Sequence, residues 1–538
     1  MKKALLFVLL LAVTTVLNAQ PKIEYGPEIE GSNGGAYKIL LLKNGNTFLF
    51  HFSKKGIEVT VYNKSHDVIS QKTLESDLWN PGKIPQSNIE GLYEISGQPV
   101  IFLRQPYDGS PALFRIVLDA ESGKIVKEKK LGHLEASGKP NFFTGYLNSK
   151  FGVFYVEKDP YSDCYAVAYY DEGLEDVNER IRIVHYDGSH KKISGGYYKV
   201  PDNNFKYLSF IGMTVVGDKQ VDMCAYGYNS KKDKGEDARV MIAKLPAGDS
   251  VFISKVLDFS EDFRNTQAIM KYNKGTGMIN LLTLTMLKAK GGTSYFLPLI
   301  SYIDPATLFV TTTQIITTDK ASAYMQSHLD VDAYQGLPQD MIINPDNTVT
   351  VVMEQNQQEV TTRNGSVVSA KTYLGNIGVT VLDTKGKEKE GCAILKMQVA
   401  NGLMQPLYLA TKGQGSWSYN GEGFFSLRSY NAYMSFDYVS TQKNRYILFN
   451  DRYDNFDRDE KRKRKLVDFP ERTNTICYKL NNGDMDKFGL FGELVEGEYK
   501  FCNIESSDFL LESNTYATIA TSRKGRNEET KIAWIQFE

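Results

Sequence analysis

The chain has 538 residues, with 63 Lys and Arg against 64 Asp and Glu, and a formal charge of −1. That balance excludes a general nucleic-acid binder, which needs basic excess to neutralise phosphates. Its five cysteines, Cys164, Cys224, Cys392, Cys477 and Cys502, lie too far apart for a zinc or redox motif. The odd count leaves at least one thiol unpaired, with Cys477–Cys502 the one bridge worth testing and burial as small hydrophobes the default for the rest.

The first residues read as an export signal. Lys2 and Lys3 precede an apolar run from Ala4 to Val16, and small Ala19 stands before Gln20. The run is short for a membrane span and fits a cleaved signal peptide over residues 1–19. Residues 20–538 are then expected as one exported domain, periplasmic or extracellular, with no integral membrane segment after signal removal.

Downstream, short runs rich in Val, Ile, Tyr, Phe and Thr alternate with Gly, Asn and Asp turns, which predicts an all-β chain. The first unit is clearest. Strands are predicted over Tyr37 to Leu42, Thr47 to Phe52, Ile57 to Tyr62 and Val68 to Leu74. A tight turn at Asn44-Gly45 joins the first two, on the hairpin preference for residues that tolerate positive φ. The turn after strand A recurs at Ser96-Gly97-Gln98, Asn148-Ser149-Lys150, Gly217-Asp218-Lys219, Asn273-Lys274-Gly275, Asn344 to Asn347, Thr441 to Asn444 and Glu512 to Asn514. The turn after strand C recurs at Asp119 to Gly123, Pro246 to Asp249, Asp304-Pro305, Asp383 to Gly386 and Asn481 to Asp484. In the third unit that turn is either Asp171-Glu172-Gly173 or Asp187-Gly188.

The last unit supplies three strands, Tyr499 to Ile504, Tyr516 to Ser522 and Lys531 to Phe537. Lys22 to Ile29, from the far end of the chain, is placed to complete it. A repeat of four-stranded units closed by an N-terminal strand predicts a β-propeller, eight-bladed by this count, with no dangling edge at the closure. A ring also explains how so long a chain avoids splitting into domains, because each blade packs only on its neighbours. A seven-bladed ring and two tandem sandwiches are the competing architectures.

In such blades the A–B and C–D turns share one face, and the B–C and D–A connections share the other. The long segments all fall in the second set: 75–87, 229–237, 317–338, 354–376, 400–431 and 450–474. Loops on a rigid scaffold commonly carry binding. The candidate binding residues on the loops of that face are Trp79, Tyr107, Tyr161, Tyr334, Trp417, Tyr419, Arg452 and Tyr453, with Asp108 and Asp163 beside them. Exposed aromatics and Arg anchor partners, although loops also pack on their own side chains. Trp534, in a strand, is expected in the core.

No nucleophile elbow, zinc-binding His pair or phosphate loop is present, and the six His residues are scattered. Asp330 to Gly336 and Asp454 to Asp459 have the wrong register for a calcium loop. The basic run 461–465 follows Asp451, Asp454, Asp457, Asp459 and Glu460 and should be largely self-neutralised. The pattern predicts an exported, non-enzymatic binding or scaffolding propeller that engages a protein or glycan through its looped face, without cofactor or metal. The alternative is a hydrolase or lyase acting on carbohydrate or peptide, with carboxylates gathered at the propeller channel.

Overall fold

Alternate side chains of a strand point to opposite faces, so a strand flanked by sheets on both sides must be apolar along its whole length. Thr47–Ser53 is buried at every position, whereas Val68–Thr73, at the rim, is mostly exposed. Phe48, Phe50 and Phe52 face the second blade, while Leu49 faces the eighth. Repeated around the chain, this produces an all-β propeller of eight blades.

The computed structural model describes residues 20–29, 35–134, 153–230, 238–260, 263–288, 294–329, 333–363, 366–413, 415, 417–418, 431–458, 464–481 and 484–538. The predicted signal peptide over 1–19 lies outside them. The first blade is Ala36–Leu41, Thr47–Ser53, Gly56–Tyr62 and Val68–Thr73, antiparallel and in chain order from the axis outward. The next six blades repeat that order, and eight apolar clusters fill the eight gaps between neighbouring blades.

The eighth blade closes the ring as predicted. Glu498–Leu510, Thr515–Lys524 and Asn527–Gln536 are joined on the outside by Lys22–Glu28, with Ile23 opposite Ile535 and Tyr25 opposite Ala533. Trp534 is 3% exposed, and its Nε1 donates to Thr47 Oγ1 at 2.9 Å in the first blade. His66 stacks on Trp534 with 3.8 Å between centroids and hydrogen-bonds Glu24 through Nδ1 at 2.8 Å. One aromatic stack therefore ties the closing strand, the last blade and the first.

The turns differ from the expectation in detail. At Asn44-Gly45 only Gly45 takes positive φ (92°), while at Ser96-Gly97 both residues do. In the third blade the A–B turn is 159–164, between Val153–Lys158 and Tyr165–Tyr170, not Asn148-Ser149-Lys150, which lies outside the described residues. Its C–D turn is the one at Asp187-Gly188. All five cysteines are buried free thiols, so Cys477 and Cys502 are not bridged. The predicted 354–376 connection is a β-ribbon: Val349–Arg363 and Ser366–Leu382 run on past the blade as a paired ladder.

Asp222 is fully buried in the fourth blade, where Gln220 Nε2 donates to both its oxygens at 2.8 Å. Burial pushes its carboxyl up to about 7. The folded pKa thus exceeds the unfolded one, so stability falls as pH rises from about 4 to about 7 and levels off above. Asp222→Asn should remove that loss: its melting temperature minus the wild type's should grow between pH 5 and pH 8, a contribution on the order of 4 kcal/mol at most. A difference independent of pH would refute the assignment. Separately, a chain lacking residues 20–29 should melt roughly 5 °C or more below one that starts at residue 20, because the closing strand is lost.

Candidate functional site

The inner strands surround a channel, and the chain fills part of that channel itself. After the sixth blade, Gln398–Asn401 pairs with the ribbon at Lys371 to Leu374. The chain then turns inward through Gly402 (φ 84°) and Leu407 (φ 64°) into the short helix Tyr408–Gly413. Leu407 N–H donates to Pro338 O at 3.0 Å and Tyr408 N–H to Gln339 Oε1 at 3.2 Å, which fixes the helix to the sixth blade. Gly415 (φ 66°) passes so near the second blade that a Cβ there would sit 3.0 Å from Leu92 N and O. Trp417–Ser418 then pairs with Ile89 and Asn88 as a fifth strand on that blade's inner edge.

Beside this insert lies a chamber of about 230 Å³, walled by the first, second, sixth, seventh and eighth blades. Its charged side chains are held by hydrogen bonds within the protein. Lys412 donates to Asp437 and, at 2.7 Å, to Ser507 Oγ. Asp437 Oδ2 also accepts from Ser507 Oγ at 2.5 Å and Tyr516 Oη at 2.6 Å. Lys38 Nζ donates to Glu505 O at 3.0 Å, and burial lowers its pKa. Lys271 holds Asp340 at 2.9 Å. Asp508 accepts the Leu41 N–H at 2.8 Å, and burial pushes its carboxyl up.

This arrangement has limited chemistry. An ammonium that donates to Ser507 Oγ cannot also take its proton, so Ser507 and Lys412 do not form a nucleophile and base. Asp508, whose carboxyl burial pushes up, is the carboxyl of this chamber without a cationic partner among the described residues. The acidic side chains of this chamber come from separate blades, and no spacing in the sequence could have gathered them.

On the short-turn face, A–B turn residues form a charged rim. Lys43 Nζ lies 3.0 Å from Glu512, its N–H donates to Glu94 at 3.1 Å, and Lys158 lies 3.8 Å from Asp163. Tyr161, 44% exposed, belongs here with Asp163, not on the looped face where it was expected. The Lys274 ammonium lies 5.8 Å from its ring.

The looped face separates the other candidates. Trp79 and Tyr334 are 3% and 2% exposed and pack inside, so they offer no surface to a partner. Tyr107 stands at the tip of the second blade's B–C hairpin, beside Asp108 at φ 49°, with Lys130 Nζ 3.9 Å from its ring centroid. Arg452 and Tyr453 adjoin on the seventh blade, where the pairs Arg464–Asp451 and Lys465–Asp454 brace the loop. Trp417 is placed by its backbone alone, and Tyr419, Asp330, Asp332, Asp459 and residues 461–463 lie outside the described residues. Among the described residues, no group of three or more His, Cys, Asp or Glu is arranged to hold a metal.

A buried ion pair roots both ribbon and insert. Lys396 and Glu354, 0% and 2% exposed, meet at 2.6 Å. Lys396 Nζ also donates to Leu374 O and Gln398 Oε1 at 3.2 Å, and Ser435 Oγ donates to Glu354. Burial raises the Glu354 pKa and lowers that of Lys396. Lys396→Met should destabilise the protein by about 3–5 kcal/mol, because it strands a buried carboxylate. Adding Glu354→Gln should recover over half of that in urea unfolding; a double variant as weak as the single would refute the pairing.

Neither a protein-family pattern nor a curated protein sequence matches the chain. Solved structures similar to it include a prolyl endopeptidase (12% identity, TM-score 0.37, covering 91% of this chain and 55% of that one). Prolyl oligopeptidase B from Galerina marginata is similar too (8%, TM-score 0.38, 94% and 55%). So is an α-L-arabinanase from Penicillium chrysogenum (9%, TM-score 0.30, 55% and 93%). The chain spans 55% of the length of the two peptidases, and likeness at this level says nothing about activity.

Proposed function

We propose that this propeller is a non-enzymatic binding or scaffolding protein that engages a protein or glycan through its looped face. The carrying observation is the self-filled channel: Tyr408–Gly413 lies in the axial space, and beside it Lys412, Asp437 and Ser507 bind one another. The looped face, by contrast, presents Tyr107 at 38% exposure on a hairpin tip and Tyr453 at 37% on a loop braced by the Arg464–Asp451 pair. Among the described residues no helix is long and apolar enough to cross a membrane. The N-terminal pattern supports export, and mass spectrometry of the mature N-terminus tests it, with Gln20 as the expected first residue.

The test of binding is cross-linking capture from the native envelope, comparing the mature protein with Tyr107→Ser/Arg452→Ser/Tyr453→Ser. Anchor residues of this type contribute about 2 kcal/mol or more each, so the variant should lose its partner while its melting temperature holds. A purified protein that cleaves glycans or peptides, with activity abolished by Asp508→Asn, would overturn this proposal in favour of a hydrolase or lyase.

A further inference from the structure

The ribbon of the sixth blade has an edge that nothing among the described residues pairs. Leu337–Ile343 covers Val349–Arg363 only as far as Glu354. Beyond that, the strand pairs on one side with Ser366–Leu382 and is open on the other. The ribbon's opposite edge is already covered by Gln398–Asn401. Residues 357–363 are all exposed; the body meets the ribbon near its base, where Gln358 Nε2 donates to Met404 O at 2.8 Å and Thr372 of the paired strand is buried.

An open edge is a row of unpaired N–H and C=O groups, and natural sheets blunt such rows with Lys, Pro or a bulge. The outer strands elsewhere in this ring do so with Lys72, Lys129, Lys192, Lys255, Lys389 and Lys487. In the fifth blade Phe309–Ile315 carries no Lys, but a bulge breaks its ladder next to Val310. The ribbon edge has none of these devices. From Asn356 to Arg363 it contains no Lys, Pro or Gly. Its distal irregularity places the extra residue, Val368, in the paired strand and leaves the free edge regular.

The charges on that edge suit a second copy of itself. Glu359 and Arg363 have opposite sign and lie four residues apart, so both fall on one face of the strand. Antiparallel pairing across a two-fold axis at Thr361 sets each Glu359 opposite Arg363 of the other copy, and each Val360 opposite Thr362. Opposite charges and β-branched pairs placed directly across strands are stabilising, and like charges there are not. Glu359 Oε2 accepts the Tyr373 hydroxyl at 3.0 Å, which steadies the carboxylate. We infer that two copies of this chain join ribbon to ribbon through residues 359–363, forming a continuous four-stranded sheet between two propellers. A closed two-fold contact of this kind stops at the dimer.

Sedimentation velocity of the mature protein across micromolar concentrations tests this. The wild type should form a concentration-dependent dimer. Glu359→Arg and Arg363→Glu should each weaken it by about tenfold or more, since each sets like charges opposite one another twice. Mixed in equal amounts, these two variants should recover the dimer as a heterodimer, because every 359–363 contact is then complementary; the double variant should recover it alone. Thr361→Pro should give a monomer with unchanged melting temperature. A wild type that stays monomeric, or a dimer indifferent to all four variants, would overturn the inference. Partner capture by the looped face would stand in either case, since Tyr107, Arg452 and Tyr453 lie outside the ribbon.

Discussion

Everything in this molecule depends on packing between neighbouring blades. A central strand gives its even residues to one neighbour and its odd residues to the other, so Ile101 and Leu103 serve the first blade's interface while Val100 and Phe102 serve the third's. No blade can bury both faces alone, and the end blades would each leave one apolar face in water. The ring must therefore close, and the stack of His66 on Trp534, with Glu24 behind it, is where it does so.

Closure of eight blades leaves an axial space wider than inner-strand side chains fill. The chain fills it with the Tyr408–Gly413 insert and with charges drawn from several blades. Buried charges are tolerable only when paired and hydrogen-bonded. The partnerships of Lys412 with Asp437 and of Lys396 with Glu354 follow from that requirement. The same pairs hold the insert and the ribbon, so the polar interior both fills the axis and positions what projects from it.

The two faces of the ring then diverge for a geometric reason. A–B and C–D turns join adjacent antiparallel strands and stay short. D–A connections must cross from the rim of one blade to the axis of the next, and together with the B–C loops they absorb the insertions. The third blade shows how local signals mislead: 159–164 is an A–B turn, so Tyr161 and Asp163 sit on the face opposite the one expected. Trp79 and Tyr334 show the other error: these two large loop aromatics pack inward, while Tyr107 and Tyr453 stay exposed, and residue type alone does not separate them.

The strands, most of the hairpin turns, the count of blades and the closing role of Lys22–Glu28 were determined by sequence alone, because period-two patterning and turn chemistry act over a few residues. The one-sided placement of long connections followed from the same local pattern. Only the tertiary structure decided that Lys412, Asp437, Ser507 and Tyr516 meet, that 402–413 turns into the channel, and that 354–363 and 366–376 continue as strand. Those features join residues from tens to more than three hundred positions apart, as Trp417 and Ile89 are, through a ring geometry that no local window of the chain contains.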